Sequence, residues 1–152
     1  MTTGPMADTE TDTALRTLIV DDEPLAVERM QVICAKLKDL AVVGTASDGS
    51  AALRLIEALK PDLVLLDMTM PEVDGLSVAR ALTDADHRPA IIFVTAHDNF
   101  AVEAFDVAAI DYVLKPVETD RLTLALSRVR ERFAQPSEEN EEESPWAEEF
   151  WV

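Results

Sequence analysis

The chain has 152 residues, of which 48% are hydrophobic and 28% charged, a composition typical of one globular domain with its own core. Its single cysteine excludes an internal disulfide. The net charge is −17, and residues 14–133 carry 20 acidic against 13 basic side chains, so strong nucleic-acid binding by this part is excluded. With no apolar run near the ~20 residues of a membrane span and no signal-peptide layout, we expect a cytoplasmic protein.

The first strand and helix are predicted from an apolar run followed by acids. Residues 17–20 are a short buried strand that ends at Asp21 and Asp22. Pro24 suits the first turn of a helix, where a missing N–H costs little. Apolar side chains then recur at helical spacing, which predicts a helix to about Lys38.

The second strand and helix follow the same plan. Residues 41–46 are the predicted strand, and Ser50 is the predicted cap of the helix after it. The predicted inner face of that helix consists of Ala51, Leu55, Ala58 and Leu59.

The third strand is predicted to be the centre of the sheet. Residues 63–66 are four consecutive aliphatics, the pattern of a strand buried on both faces. Asp67 follows directly and therefore belongs at the carboxyl edge of the sheet. Pro71 and the turn pair Asp74 and Gly75 end this segment before a short helix over residues 76–82.

Two more strand–helix units complete the pattern. Residues 90–94 form a strand that leads into Thr95, and residues 99–109 form a brief helix. Residues 111–114 form the fifth strand, which ends at Lys115. The last helix is predicted to bury Leu122, Ala125, Leu126, Val129 and Phe133 and to expose Arg121, Arg128, Arg130 and Arg132.

Five strand–helix repeats predict an α/β fold: a doubly wound, five-stranded parallel sheet of the flavodoxin-like (βα)5 type. This domain covers residues 14–133. Residues 1–13 are predicted to be a disordered tail. Residues 134–145 are predicted to be an acidic linker, and the aromatic residues 146–152 the start of an output domain.

The strand ends carry the candidate chemistry. In such a sheet Asp21, Asp22, Asp67, Thr95 and Lys115 share one rim. Clustered carboxylates repel one another unless a cation neutralises them, and an all-oxygen site suits Mg²⁺. Asp67 is then placed to attack a phosphorus atom, with the amine and the hydroxyl binding phosphoryl oxygens.

These motifs together resemble a known family. The segments at residues 18–23 (LIVDDE), 63–71 (LVLLDMTMP), 95–96 (TA) and 112–116 (YVLKP) resemble the receiver domain of two-component response regulators. The resemblance covers residues 16–133.

The resemblance implies a role for each matching residue. Asp67 matches the phospho-acceptor, which receives its phosphoryl group from a sensor histidine kinase. Mg²⁺ is implied to bind Asp21, Asp22, Asp67 and the backbone carbonyl of Thr69. Such a domain is a phosphoacceptor switch that catalyses only its own phosphorylation and dephosphorylation, so it is not otherwise an enzyme.

The remaining matches concern switching. Thr95 and Tyr112 match the family's switch residues and Lys115 its lysine, and the family implies a cis bond between Lys115 and Pro116. Phosphorylation is implied to drive homodimerisation through the surface formed by residues 99–133.

The stretch 95–116 is similar to receivers that precede a LytTR-type DNA-binding domain. This similarity implies transcription regulation, with DNA bound only through a domain absent from this chain. The alternative is a stand-alone receiver in phosphorelay or protein–protein signalling. A haloacid-dehalogenase-type phosphohydrolase is a rival hypothesis, but its second Asp is replaced here by Thr69.

Overall fold

The computed structural model describes residues 14–134, in which five strands alternate with five helices. The strands are β1 (Leu15–Val20), β2 (Leu40–Ala46), β3 (Leu63–Leu66), β4 (Ala90–Thr95) and β5 (Asp111–Leu114). The helices are α1 (Pro24–Ala35), α2 (Gly49–Leu59), α3 (Gly75–Ala81), α4 (Ala101–Asp106) and α5 (Thr119–Ala134). None of these helices is long and apolar enough to cross a lipid bilayer.

Two predicted segments fall outside the described residues: the tail at 1–13 and the stretch 135–152, which holds nearly all of the predicted linker and the predicted start of an output domain. Ala134, which we predicted to be the first linker residue, is the last residue of α5.

The sheet confirms the predicted fold class. Its strand order is β2-β1-β3-β4-β5, and all neighbouring strands are parallel. The chain runs from β1 outward to β2 and then returns past β1 to β3. This reversal leaves a crevice above the carboxyl ends of β1 and β3, the place where open α/β sheets bind their ligands.

The core lies on both faces of the sheet, as the continuous apolar strands predict. Leu63 and Leu65 of β3 point to one face and Val64 and Leu66 to the other, and all four are buried. On the first face they pack with buried residues of α1 and α5, and on the second with residues of α2, α3 and α4. The central strand is therefore held rigidly from both sides, which fixes the position of the residue that follows it.

The start of α2 differs from the prediction. Asp48, not Ser50, is the cap, because the Asp48 side chain accepts a hydrogen bond from the N–H of Ala51 at 2.8 Å. The helix therefore begins at Gly49. Its buried face contains Gly49, Ala52 and Ile56. Ala58, predicted to face inward, is exposed.

The end of α5 also differs from the prediction. Leu122, Ala125, Leu126 and Val129 are buried as expected. Phe133, however, is 51% exposed, because the last four residues of α5 extend past the packed part of the helix and are all exposed.

A close approach at Gly75 fixes the segment that follows β3. The N–H of Gly75 donates to the carbonyl of Met68 at 3.0 Å, which brings α3 against the main chain of the strand end. A Cβ at Gly75 would lie 2.1 Å from the carbonyl oxygen of Asp67 and 2.8 Å from the Cα of Met68. The glycine is needed for space, since its φ is not positive.

We therefore predict that Gly75→Ala destabilises the domain by about 1–3 kcal/mol, because backbone atoms must move to admit the methyl group. Helix propensity alone predicts the opposite sign. Gly44→Ala is the matched control, since its Cβ would meet only the side-chain methyl groups of Leu59 and Leu18 at 3.2 and 3.3 Å. Urea unfolding followed by circular dichroism measures both. Equal costs for the two variants would contradict the steric argument.

Candidate functional site

Three acidic side chains meet where β1 and β3 end side by side. The sheet register pairs Val20 with Leu66, and the N–H of Asp67 donates to the carbonyl of Val20 at 2.9 Å. One carboxylate oxygen from each of Asp21, Asp22 and Asp67 lies within 4.8 Å of the other two. The structure thus brings together the three acids that the sequence predicted on one rim.

Lys115 brings a positive charge to these acids from the end of β5. Its Nζ lies 2.8 Å from Oδ2 of Asp21, 3.7 Å from Oδ2 of Asp67 and 3.9 Å from Oε1 of Glu23. Burial alone would lower the pKa of Lys115, but the hydrogen bond to Asp21 and the charges of the three acids raise it above its usual value. The amine therefore stays protonated and is ready to bind an anion. The expected cis bond between Lys115 and Pro116 is present.

Asp67 is an acid whose ionised form is disfavoured. It is only 4% exposed, and this burial, followed by the nearby charge of Asp21, raises its pKa from 3.8 to about 7. Lys115 and the N–H of Thr69, which donates to Oδ1 at 3.3 Å, oppose the rise without cancelling it. Near neutral pH and without a cation, Asp67 therefore populates both its protonated and its ionised form.

The donor set fits a hard divalent cation. All three side chains offer carboxylate oxygens, the ligands that Mg²⁺ and Ca²⁺ prefer, and Asp22 is exposed, which leaves the crevice open to solvent. Three carboxylates against the single positive charge of Lys115 leave an excess of negative charge here, and burial followed by the charge of Asp21 raises the pKa of Asp67. A bound cation would relieve that excess. The ligand role of the Thr69 carbonyl stays a prediction.

Thr95 and Tyr112 lie on the same side of the sheet but make different contacts. Thr95 is fully buried, and its Oγ1 accepts a hydrogen bond from the N–H of His97 at 3.2 Å. The Tyr112 hydroxyl donates to the carbonyl of His97 and accepts from the N–H of Phe100 at 3.1 Å. Both predicted switch residues therefore contact the loop between β4 and α4, at residues that the sequence analysis did not select.

The sequence analysis also missed an ion cluster beside Tyr112. Asp111, the first residue of β5, accepts hydrogen bonds from both Arg121 and Arg128 of α5. These two arginines were predicted to point outward. Their spacing of seven residues, which is two helical turns, was the available signal that they share one helix face and one partner.

Fold and site together define a class of protein: an open α/β domain with an acidic crevice and a paired lysine at its topological switch point. The chain belongs to the response regulator receiver domain family, whose model matches residues 17–127. This membership favours a phosphoacceptor over the phosphohydrolase hypothesis.

Two curated relatives match most of the described part of the chain. The chain is 50% identical over 115 residues to the positive alginate biosynthesis regulatory protein of Pseudomonas aeruginosa, covering 75% of this chain and 46% of that protein. It is 41% identical over 117 residues to the transcriptional regulatory protein BtsR of Escherichia coli K12, covering 77% and 48% respectively. The chain therefore spans about half the length of these curated relatives.

A solved structure supports the same assignment. The response regulatory domain of mrkE from Klebsiella pneumoniae matches with a TM-score of 0.73 and 32% identity, covering 80% of this chain and all of that one.

The raised pKa of Asp67 predicts the direction in which the stability of the domain changes with pH. Because folding raises this pKa from 3.8 to about 7, the folded state binds more protons between those values, and stability falls as pH rises through that window. Without divalent cations, Asp67→Asn is therefore expected to stabilise the domain by roughly 2–4 kcal/mol at about pH 8 and by little at about pH 4. Urea unfolding in a chelator measures both.

The control for this experiment is Asp84→Asn, which removes one charge from an exposed acid whose side chain makes no hydrogen bond or ion pair with the rest of residues 14–134. It is expected to change stability little at either pH. If Asp67→Asn raised the free energy of unfolding by the same amount at both pH values, the assigned pKa would be contradicted.

Proposed function

We propose that this chain is a phosphorylation switch in which Asp67 accepts a phosphoryl group from a sensor histidine kinase. The observation that carries the proposal is the convergence of Asp67, Asp21, Asp22 and Lys115 on one crevice, with Lys115 already within 3.7 Å of the acceptor carboxylate. The cytoplasmic location expected from the sequence suits such a kinase partner.

The side chains have complementary parts in the transfer. An Oδ of Asp67 attacks phosphorus in line, so that a P–O bond forms as the P–N bond to the donor histidine breaks, and the departing imidazole takes up a proton. The Lys115 ammonium group can bind a phosphoryl oxygen once its ion pair with Asp21 is broken. The buried Thr95 hydroxyl accepts one hydrogen bond and still has its own proton to donate.

Mg²⁺ is the proposed cofactor, held by Asp21, Asp22, Asp67 and the Thr69 carbonyl. When bound, it supplies positive charge that keeps Asp67 ionised and offsets the charge of the incoming phosphoryl group. The chemistry proposed here modifies only the chain's own Asp67, with the kinase as the phosphoryl donor, so the chain is a switch domain and not a general enzyme.

The proposed response passes through Thr95 and Tyr112. The phosphoryl group draws the Thr95 hydroxyl toward it, which weakens the hydrogen bond that Thr95 accepts from His97. His97 also accepts the hydrogen bond of the Tyr112 hydroxyl, so a movement of this loop changes where the Tyr112 ring is stable. An added phosphate brings nearly two negative charges, enough to bias such a two-state element.

The proposed output is homodimerisation through the 99–133 surface. This surface exposes apolar side chains from α4, β5 and α5, namely Val102, Phe105, Leu114 and Leu124. Dimerisation suits a partner domain that reads paired DNA half-sites.

We further propose that the domain belongs to the LytTR-type subgroup and controls transcription through a DNA-binding domain outside this chain. The similarity to two regulators, in each of which the matched segment covers about half of the protein, supports this. The alternative is a receiver that acts in phosphorelay without DNA output. The gene sequence beyond Val152 discriminates between them: about 100 further residues that are basic and rich in strands favour the transcription factor.

Incubation with acetyl phosphate and Mg²⁺ tests the acceptor. We expect intact-mass spectrometry to detect one added phosphoryl group on the wild-type chain and on Asp84→Asn, and none on Asp67→Ala. Removing Mg²⁺ with a chelator is expected to abolish the modification. Phosphorylation of Asp67→Ala to the wild-type extent would refute the assignment of the acceptor.

Light scattering with Mg²⁺ and beryllofluoride, a phosphate mimic, tests the dimer. We expect the wild-type mass to double and Val102→Glu to stay monomeric, because the new charge must be buried in the interface. Leu25→Glu is the matched control: Leu25 is 77% exposed and Val102 71%, but Leu25 lies on α1, outside the 99–133 surface. A wild-type mass that does not change at high concentration would contradict dimerisation, and equal loss in both variants would contradict the assigned surface.

A further inference from the structure

The carboxylate of Asp111 makes four hydrogen bonds to protein groups. Oδ1 accepts from the N–H of Tyr112 at 2.7 Å and from Nη2 of Arg121 at 2.9 Å. Oδ2 accepts from Nη1 of Arg121 at 2.9 Å and from Nη1 of Arg128 at 2.8 Å. The side chain is only 8% exposed, so a carboxylate with about four acceptor sites is nearly saturated by these contacts.

Two of these groups also hold the main chain of Tyr112. Its N–H is bound by Asp111, and its carbonyl accepts from Nη2 of Arg121 at 3.2 Å. β5 is the last strand of the sheet, and the N–H of Lys115 points inward to the Thr95 carbonyl of β4. Since successive residues of a strand alternate in direction, Tyr112 points its N–H and carbonyl to the open edge, where none of the strands within residues 14–134 pairs with them.

Tyr112 is therefore held at two ends. The ion pair holds its main chain to α5, and its hydroxyl contacts the loop after β4 through His97 and Phe100. Tyr112 thus joins that loop to α5 through the sheet edge. A ring that changes position turns about the Cα–Cβ bond of Tyr112, and the direction of that bond depends on the main-chain groups that Arg121 and Asp111 hold.

We propose that Arg121 and Asp111 are positioning residues for Tyr112: they fix its main chain and so determine how strongly its ring prefers the present orientation over the one adopted after phosphorylation. This inference rests on the proposed switch role of Tyr112 and names the contacts that set its balance. Loss of the Arg121 contact frees the main chain and shifts the ring toward the activated orientation without a phosphoryl group.

The chain offers a matched control on the same carboxylate. Arg121 and Arg128 both belong to α5, both bind Oδ2 of Asp111 and both carry one positive charge. Only Arg121 contacts the Tyr112 carbonyl. Arg121→Gln and Arg128→Gln thus remove the same charge from the same partner and differ in the contact that the inference requires.

The readout is specific, because Tyr112 is the only tyrosine among the 152 residues. Ring ¹³C-labelled tyrosine gives one set of NMR resonances in the full chain. These are recorded for the wild type with Mg²⁺, without and with beryllofluoride, which defines the two end positions. A shift along the line that joins the two positions reports a change in population.

Without beryllofluoride, Arg121→Gln is expected to move the Tyr112 resonance by about a quarter or more of the distance toward the activated position. Arg128→Gln is expected to stay at the wild-type position. Arg121→Lys keeps the charge but not the bidentate geometry, so its Tyr112 resonance is expected to shift as in Arg121→Gln. Circular dichroism confirms that each variant is folded.

Three results would overturn the inference: no shift in either Arg121 variant, a shift that leaves the line between the two positions, or an equal shift in Arg128→Gln. These leave the proposed function intact if the wild-type resonance responds to beryllofluoride. A wild-type resonance that does not respond contradicts the switch role of Tyr112 itself, and with it this inference.

Discussion

The burial of mutually repelling acidic groups in one crevice is the constraint around which this domain is built. Three carboxylates meet at the ends of β1 and β3, and one nearby amine, Lys115, is too little to neutralise them. Asp67 is nearly buried, and this burial, followed by the charge of Asp21, raises its pKa to about 7. Repelling groups stay together only if the scaffold cannot relax, and here the strand behind Asp67 is buried on both faces by two hydrophobic clusters. Hydrophobic packing thus offsets the electrostatic cost of holding these carboxylates together. A ligand that adds positive charge lowers that cost and is therefore attracted to the crevice.

The same rigidity supports the proposed transmission of a local change at the crevice to a distant surface. Because the crevice itself cannot deform, a new interaction there changes the conformation of neighbouring groups that have two stable arrangements. The first such group is the loop after β4, since the main chain of His97 contacts both Thr95 and Tyr112. The second is the Tyr112 ring, half-buried against the α2–α3–α4 side of the core. These contacts form a continuous path of hydrogen bonds from the rim to the open edge of the sheet.

The features that follow from the order of the strands could be predicted from the sequence. The contacts that depend on the direction of individual side chains could not. β3 and the residues at the rim were predictable because a run of aliphatics between acids has few other solutions in a parallel sheet. The cap was placed at Ser50 instead of Asp48, since both residue types cap helices and only the hydrogen bond to Ala51 distinguishes them. The Asp111–Arg121 pair was missed because it depends on which groups of β5 face outward, and a sequence read by itself does not establish that.

Because Arg121 belongs to α5, the orientation of Tyr112 and the 99–133 surface are linked in both directions. If phosphorylation of Asp67 changes the preferred ring orientation, any partner that binds this surface better in one orientation changes the free energy of phosphorylation by the same amount. A partner on α5 therefore acts on the acceptor without contacting it. The size of this coupling is limited by the difference in free energy between the two ring orientations. If the hydrogen bonds of Asp111 and Arg121 to the Tyr112 main chain contribute to that difference, as we propose, the strength of the signal is set in part at the edge of β5, away from the crevice proposed to receive the phosphoryl group.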